Sequence, residues 1–380
     1  MRDLVRASIL AMIGLAVTCG NARCDELVDA IDKSWRERSK AITSAKIKWN
    51  VKTTYVKGGL AIEARMFRSA EHELVKRMNA GLQIPEQDTV VDTRHSITFS
   101  GRYVLYDFEE ISWSFDKLEY LIKPCRIVCT DKGTKAFFQT GIGDGKAKTG
   151  IVRNEVCVLE AKDLKALPLV VHCLPFTPDY DDYSIVKLGA PKTTSVIGSK
   201  IRLSFEAPNS TEIIHLECDR ELSDCLTSIE RVDNMGRPKL SVAIEYQRDS
   251  QNGCFPSKWI ATRYVMGKPG VVSKRIEAKV EEYVLNDPIS ASDLEFEFEA
   301  GTVVFANSGK EKYLVGKNGE RYKLTNEDLT HPYESLLHLL EPKRDKRRDI
   351  AALVGIIALF LFGGYILRKR QLGRRKIMDS

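Results

Sequence analysis

From residue 46 to residue 55 the chain alternates strictly. Ile47, Trp49, Val51, Thr53 and Tyr55 interleave with Lys46, Lys48, Asn50, Lys52 and Thr54. A period of two places the first set on one face of a β-strand and the second on the other, so this stretch predicts a half-buried strand. Just upstream the period is different. Over residues 25–43, Leu27, Ile31, Trp35, Arg38 and Ile42 recur every three or four positions among Asp29, Asp32, Lys33, Arg36, Glu37 and Lys40. That spacing predicts an amphipathic helix in need of a surface to cover.

The period-two pattern continues for most of the chain. Gly58-Gly59 marks a hairpin turn into a strand over 60–68. Further strands are predicted at 95–100, 102–108, 126–130 and 135–140, and in the second half at 200–206, 212–218, 226–232, 240–247, 259–265, 274–285 and 294–298. Short pieces at 303–305, 313–315 and 321–324 close the series. Leu294, Phe296 and Phe298 alternate with Glu295, Glu297 and Glu299 in the cleanest one-face-dry pattern of the sequence. Short helices are expected at 161–167, ahead of the breaker Pro168, and at 331–340, while the Pro- and Asp-rich stretch 174–183 reads as a loop. The expected fold is mainly β (α+β): a large curved antiparallel sheet or unclosed half-barrel with covering helices, plus one C-terminal transmembrane helix.

The two ends carry the remaining apolar runs. Residues 1–22 combine Arg2 and Arg6, an apolar run over 9–17 and small residues near Ala22, the three-part pattern of a secretory signal. Residues 350–367 hold eighteen uncharged residues without proline, about 27 Å as a helix and just enough to span a bilayer. The expected organisation is therefore a signal (1–22), an exported ectodomain (23–340), a charged stalk (341–349), a single span (350–367) and a basic cytoplasmic tail (368–380). This places the ectodomain on the outer side of the cytoplasmic membrane.

Charge and cysteine content change the picture only a little. The formal charge of +6 is concentrated near the span, where eleven Lys and Arg lie between Lys343 and Lys376. Clusters in that position attract anionic headgroups, and no interleaved aromatics point to nucleic acid. Removing the signal leaves eight cysteines, an even number that in an exported chain favours disulfides. Local spacing nominates Cys218 with Cys225 and Cys125 with Cys129. No C-x-x-C, histidine pair, G-x-S-x-G or phosphate loop occurs, so no metal, cofactor or catalytic residue is nominated.

The helix bearing Trp35, Arg38 and Ile42 passes directly into a strand bearing Trp49 and then into an antiparallel meander. In this order of elements the chain resembles the outer-membrane lipoprotein carrier (LolA-like) superfamily. Gly253-Cys-Phe-Pro256-Ser-Lys-Trp259 is similar to a G-x-x-P-x-x-W hairpin of bacterial secreted proteins of this type. Phe298-Glu-Ala-Gly301-Thr302, followed by Tyr313-Leu-Val-Gly316 and Gly319, resembles their F-x-x-G-T…Y-x-V-G-x-x-G ending. Where that pattern has prolines, this chain has Glu299 and Ala300. The resemblance implies an unclosed half-barrel whose concave face holds acyl chains.

The inward residues nominated for such a ligand face are Trp49, Val51, Tyr55, Val242, Ile244, Trp259, Leu294, Phe296 and Phe298. The competing reading, and the one the pattern favours, is that these residues fill an ordinary core against the first helix. The functional expectation is a non-enzymatic envelope protein that binds a lipid, acyl chain or lipoprotein, with an envelope protein as a further candidate partner. The competing readings are a structural, protein-binding ectodomain without a ligand site, and an anchored hydrolase.

Overall fold

The computed structural model describes residues 26–57, 87–114, 119–139, 147–154, 164–173, 185–207, 210–249, 253–265, 268 and 270–340. The expected signal, the 60–68 strand, the 174–183 loop, the stalk, the span and the tail lie outside these residues. Among the described residues no helix is long and apolar enough to cross a membrane.

A helix over residues 26–41 (α1) leads into the first strand. Strands follow as β1 (Ser44–Tyr55), β2 (Thr89–Ser100), β3 (Tyr103–Ser114), β4 (Glu119–Thr130), β5 (Gly133–Gln139) and β6 (Lys148–Arg153). After helix α2 (Leu167–Cys173) come β7 (Thr193–Ile197), β8 (Lys200–Glu206), β9 (Ile213–Asp219), β10 (Cys225–Val232), β11 (Pro238–Asp249), β12 (Gly253–Tyr264) and β13 (Val272–Leu285). β14 (Thr302–Ala306), β15 (Glu311–Val315) and β16 (Arg321–Lys323) complete the set. All sixteen form one sheet in the order β16-β15-β14-β6-β5-β4-β3-β2-β1-β13-β12-β11-β10-β9-β8-β7. The order is linear with β7 and β16 at its ends, so the sheet is open, as expected.

Among the described residues every strand pairing is antiparallel except one. β14 runs parallel to β6, because the chain returns from β13 on the far side of β1 before it pairs again. β12 begins six residues earlier than its alternation predicts and contains Pro256, which pairs with Tyr246 next to a register shift. A bulge is where a strand tolerates a residue with no N–H.

Two local expectations fail for identifiable reasons. Pro168 does not end a helix at 161–167; it sits in the first turn of α2, where its fixed φ fits and its missing N–H costs nothing. Residues 294–298 are not a strand. They form the end of a 3-10 turn (Ala291–Leu294) and an extended strap, because their alternation is satisfied against a sheet face without joining its ladder.

The expected disulfides are also absent. Cys125 and Cys129 stand four residues apart on β4, about 13 Å at strand rise and roughly twice the reach of a disulfide. Cys218 and Cys225 lie diagonally across β9 and β10, and both are thiols.

The sheet has an apolar cluster on each side. On one side, here the inner face, α1 (Val28, Ile31, Trp35) and α2 pack on alternate residues of β1–β4 and β8–β13. On the outer face Leu105 and Val128 meet Leu294 and Phe296. The register makes this division unavoidable, since Val104 and Tyr106 belong to the inner cluster and Leu105, between them, to the outer. The chain divides at residue 324. The second unit contributes a short helix α3 (Tyr333–Leu337), preceded by a turn in which the Thr325 backbone N–H donates to Asp328 Oδ2 at 2.7 Å.

Candidate functional site

Pairing brings five of the nine nominated residues into neighbouring rows on the inner face. Val51 pairs with Ala278, Ala278 with Trp259 and Trp259 with Ile244, one row across four strands. The adjacent row runs Thr53, Ile276, Ala261, Val242. Trp49 starts a third row, in which His95, Phe108 and Cys125 follow on β2, β3 and β4. Tyr55 sits at the end of β1, outside this cluster, and stacks on Tyr120 at 4.1 Å.

The structure does not bring Leu294, Phe296 and Phe298 to this face. They lie on the outer side, over Leu105, Val128 and Phe137. Phe298 covers Gly150 so closely that a Cβ there would sit 2.7 Å from the ring. The Lys135 ammonium stands 4.7 Å and 4.8 Å from the centres of the Phe296 and Phe298 rings and donates to the Phe296 carbonyl. Lys46, Lys135 and Lys148 pair with Asp293, Glu297 and Glu299. Alternation reveals which residues share a face; it cannot reveal which side of a two-sided sheet that face meets. Beside the strap runs an outer groove of about 490 Å³ lined by Lys48, Arg94, Asp107, Arg126 and Glu297; Arg126 pairs with Asp107, and Lys48, Arg94 and Glu297 pair with Glu282, Glu109 and Lys135.

The inner face is covered by a short, apolar segment. Trp49 Nε1 donates to the Lys165 carbonyl at 3.0 Å and Trp259 Nε1 to the Leu164 carbonyl at 3.1 Å. These two bonds fix the chain just before α2, whose residues 168–173 are all buried. Trp49 and Trp259 are 1% and 0% exposed, and their ring centres are 6.5 Å apart. The covering segment and α1 together bury both indoles.

At one end of the cover, polar groups appear that the sequence pattern did not single out. Arg38, on α1, donates to the His172 carbonyl (3.4 Å), the Ser223 carbonyl (3.2 Å) and Cys225 Sγ (3.2 Å). The turn that receives it places Ser223 and Asp224 at φ 57° and 58°, a left-handed conformation that turns both carbonyls toward α1, and Trp35 Nε1 donates to Asp224 O at 2.8 Å. Arg38 thus ties α1 to the last turn of α2 and to the β9–β10 hairpin. The period of α1 identified its position without revealing its partners.

Titration at the inner face is governed by burial. The imidazole of His95 lies between Thr93 Oγ1 (3.1 Å) and Tyr106 OH (2.9 Å), stacks on Trp49, and has its pKa pushed down to about 2 by burial and then by the Lys165 charge. His172 is held well below the usual range by burial and by Arg38. Burial raises the thiols of Cys125, Cys173 and Cys218 to about 12 and that of Cys225 to about 11, so none is a thiolate near neutral pH.

A Ser-His pair, the signature expected of a hydrolase, does occur. Ser204 Oγ lies 2.8 Å from His215 Nδ1 across β8 and β9. It sits on the outer face, since its neighbours Leu203 and Phe205 are inner, and Glu230 opposite His215 is paired with Arg202. β8 and β9 are each flanked by strands on both sides, so their N–H groups serve the ladder rather than an oxyanion hole. Among the described residues no His, Cys, Asp and Glu group could hold a metal ion.

No family model matches the chain, and no curated protein matches it. Among solved structures it is similar to a LolA superfamily protein from Nitrosomonas europaea, with 9% identity over 70% of this chain and 97% of the other and a TM-score of 0.36. It is similar to a putative outer membrane lipoprotein-sorting protein domain from Vibrio parahaemolyticus, with 8% identity, 70% and 94% coverage and a TM-score of 0.37. A DUF1329 family protein from Desulfovibrio piger gives 5% identity, 70% and 97% coverage and a TM-score of 0.38.

Proposed function

We propose that the protein is a non-enzymatic, membrane-anchored envelope protein whose exported domain takes up a lipid, acyl chain or lipoprotein between the inner sheet face and the α2 segment. The carrying observation is how that cover is attached. Two indole N–H groups and one guanidinium bond its main-chain carbonyls, over a surface that is mainly apolar from β1 to β12, with Thr53, Thr93 and His95 buried within it. Lifting such a cover exposes apolar surface that an acyl chain would cover in its place, at about 25 cal/mol per Å² buried. Anchoring by residues 350–367 would keep the domain beside the bilayer that supplies the ligand.

A second reading, a structural or protein-binding domain, is favoured by the same residues being fully buried and by the roomy groove lying on the charged outer face. The two separate in one titration. Delipidated full chain kept soluble in amphipol is mixed with dansyl-undecanoic acid, and energy transfer from tryptophan to dansyl is followed. Saturable transfer that unlabelled oleate displaces supports the carrier. No transfer at any concentration supports the structural reading.

A further inference from the structure

Arg38 is a permanent charge with neutral acceptors only. Its partners are two carbonyls and a thiol, and no carboxylate lies within 4 Å of it among the described residues. Asp224 is near enough to interact through space, and it also faces Arg220 and bonds Ser34. Beside the guanidinium, His172 is 2% exposed, lies 5.3 Å from the Phe255 ring, and has a buried Nδ1 with no hydrogen-bond partner. An orphaned buried imidazole nitrogen and a half-buried cation that hydrogen-bonds only neutral acceptors both carry a cost unless a further group completes them. Both lie where α1, α2 and the β9–β10 hairpin converge, at one end of the inner apolar face. Arg38 is partly exposed there, so a polar head can reach it while a tail extends along the sheet.

We propose that Arg38 and His172 form a subsite for an oxyanion head, carboxylate or phosphate, of an amphiphile whose tail occupies the inner face. This rests on the carrier reading above. The Arg38 fork donates to the head from α1, and His172 Nδ1–H donates from the lid, so a bound head replaces the weak 3.4 Å contact to the His172 carbonyl and bridges the two helices.

The test compares dansyl-undecanoic acid with its methyl ester on the unmodified, amphipol-held full chain. The subsite predicts that the acid binds about tenfold tighter than the ester, about 1.4 kcal/mol. In Arg38→Gln the ratio of acid to ester affinity falls to about one, whatever change loosening the cover makes to both ligands alike, and Arg38→Lys keeps part of the preference. Displacement of the probe by oleate assigns the head as carboxylate, and stronger displacement by lysophosphatidate assigns it as phosphate. Equal binding of acid and ester by the unmodified chain, or equally strong displacement by zwitterionic lysophosphatidylcholine, overturns the subsite and leaves the carrier reading standing. Failure of both acid and ester to bind overturns both.

Discussion

The two faces of the sheet bury aromatic residues in opposite ways. On the inner face Trp49 and Trp259 are sealed under a cover that they hold by indole-to-carbonyl bonds. On the outer face Phe296 and Phe298 belong to the cover itself, a strap held by three lysines and three cation-π contacts. The inner cluster spans ten strands and the outer one rests on a small patch of β3–β5. Stability therefore resides mainly on the inner side, and the strap is an accessory that salt and single substitutions can loosen.

The largest difference should appear on truncating one aromatic. Trp259→Ala opens a cavity in the inner cluster, orphans the Leu164 carbonyl and should cost about 3–5 kcal/mol, read as a lower denaturation midpoint. Phe296→Asp should release the strap yet leave probe uptake intact, because Phe296 lies on the outer face and the proposed uptake is on the inner one. Loss of uptake in that variant would place the ligand on the outer side.

Acid should act on the inner face next. The unfolded His95 imidazole titrates near 6.5 and the folded one near 2, so between those values the unfolded chain binds the additional proton. Stability contributed by the neutral imidazole is complete above pH 6.5 and is lost as pH falls, by about 1.4 kcal/mol per unit. Denaturant melts of His95→Gln between pH 7 and 4 should show a slope shallower by up to that amount.

Gly150→Val tests the strap by steric means. The new side chain meets Phe298 and Val304, so it should destabilise by about 1–3 kcal/mol and raise hydrogen exchange in residues 294–300 before any change at α2. The smallest effect is expected from Lys148→Ala, which removes a partly exposed pair with Glu299 worth less than about 1 kcal/mol and should shrink in high salt.

How much of this could be read in advance depends on what each signal encodes. Period two located β1, β8, β9, β10, β11 and β13, and gathered Trp49, Val51, Val242, Ile244 and Trp259 on one face, because side chains alternate across any strand. It failed for Leu294, Phe296 and Phe298, since a strap lying flat on a sheet shows the same alternation as a strand. β6 and β7 were missed: KTGIVR carries its glycine under the Phe298 ring, and TTSVI is an edge strand with Ile197 77% exposed. Pro168 misled because proline both opens and ends helices. The Arg38–His172 pairing bridges 134 residues, and no local pattern records such a distance.

The central claim is that an amphiphile takes the place now filled by α2. Hydrogen exchange on the delipidated full chain, with and without saturating dansyl-undecanoic acid, tests it most directly. The predicted result is saturable uptake with altered exchange across Leu167–Cys173 and none across the 289–300 strap. Uptake that changes only the strap, or no uptake at all, would contradict it.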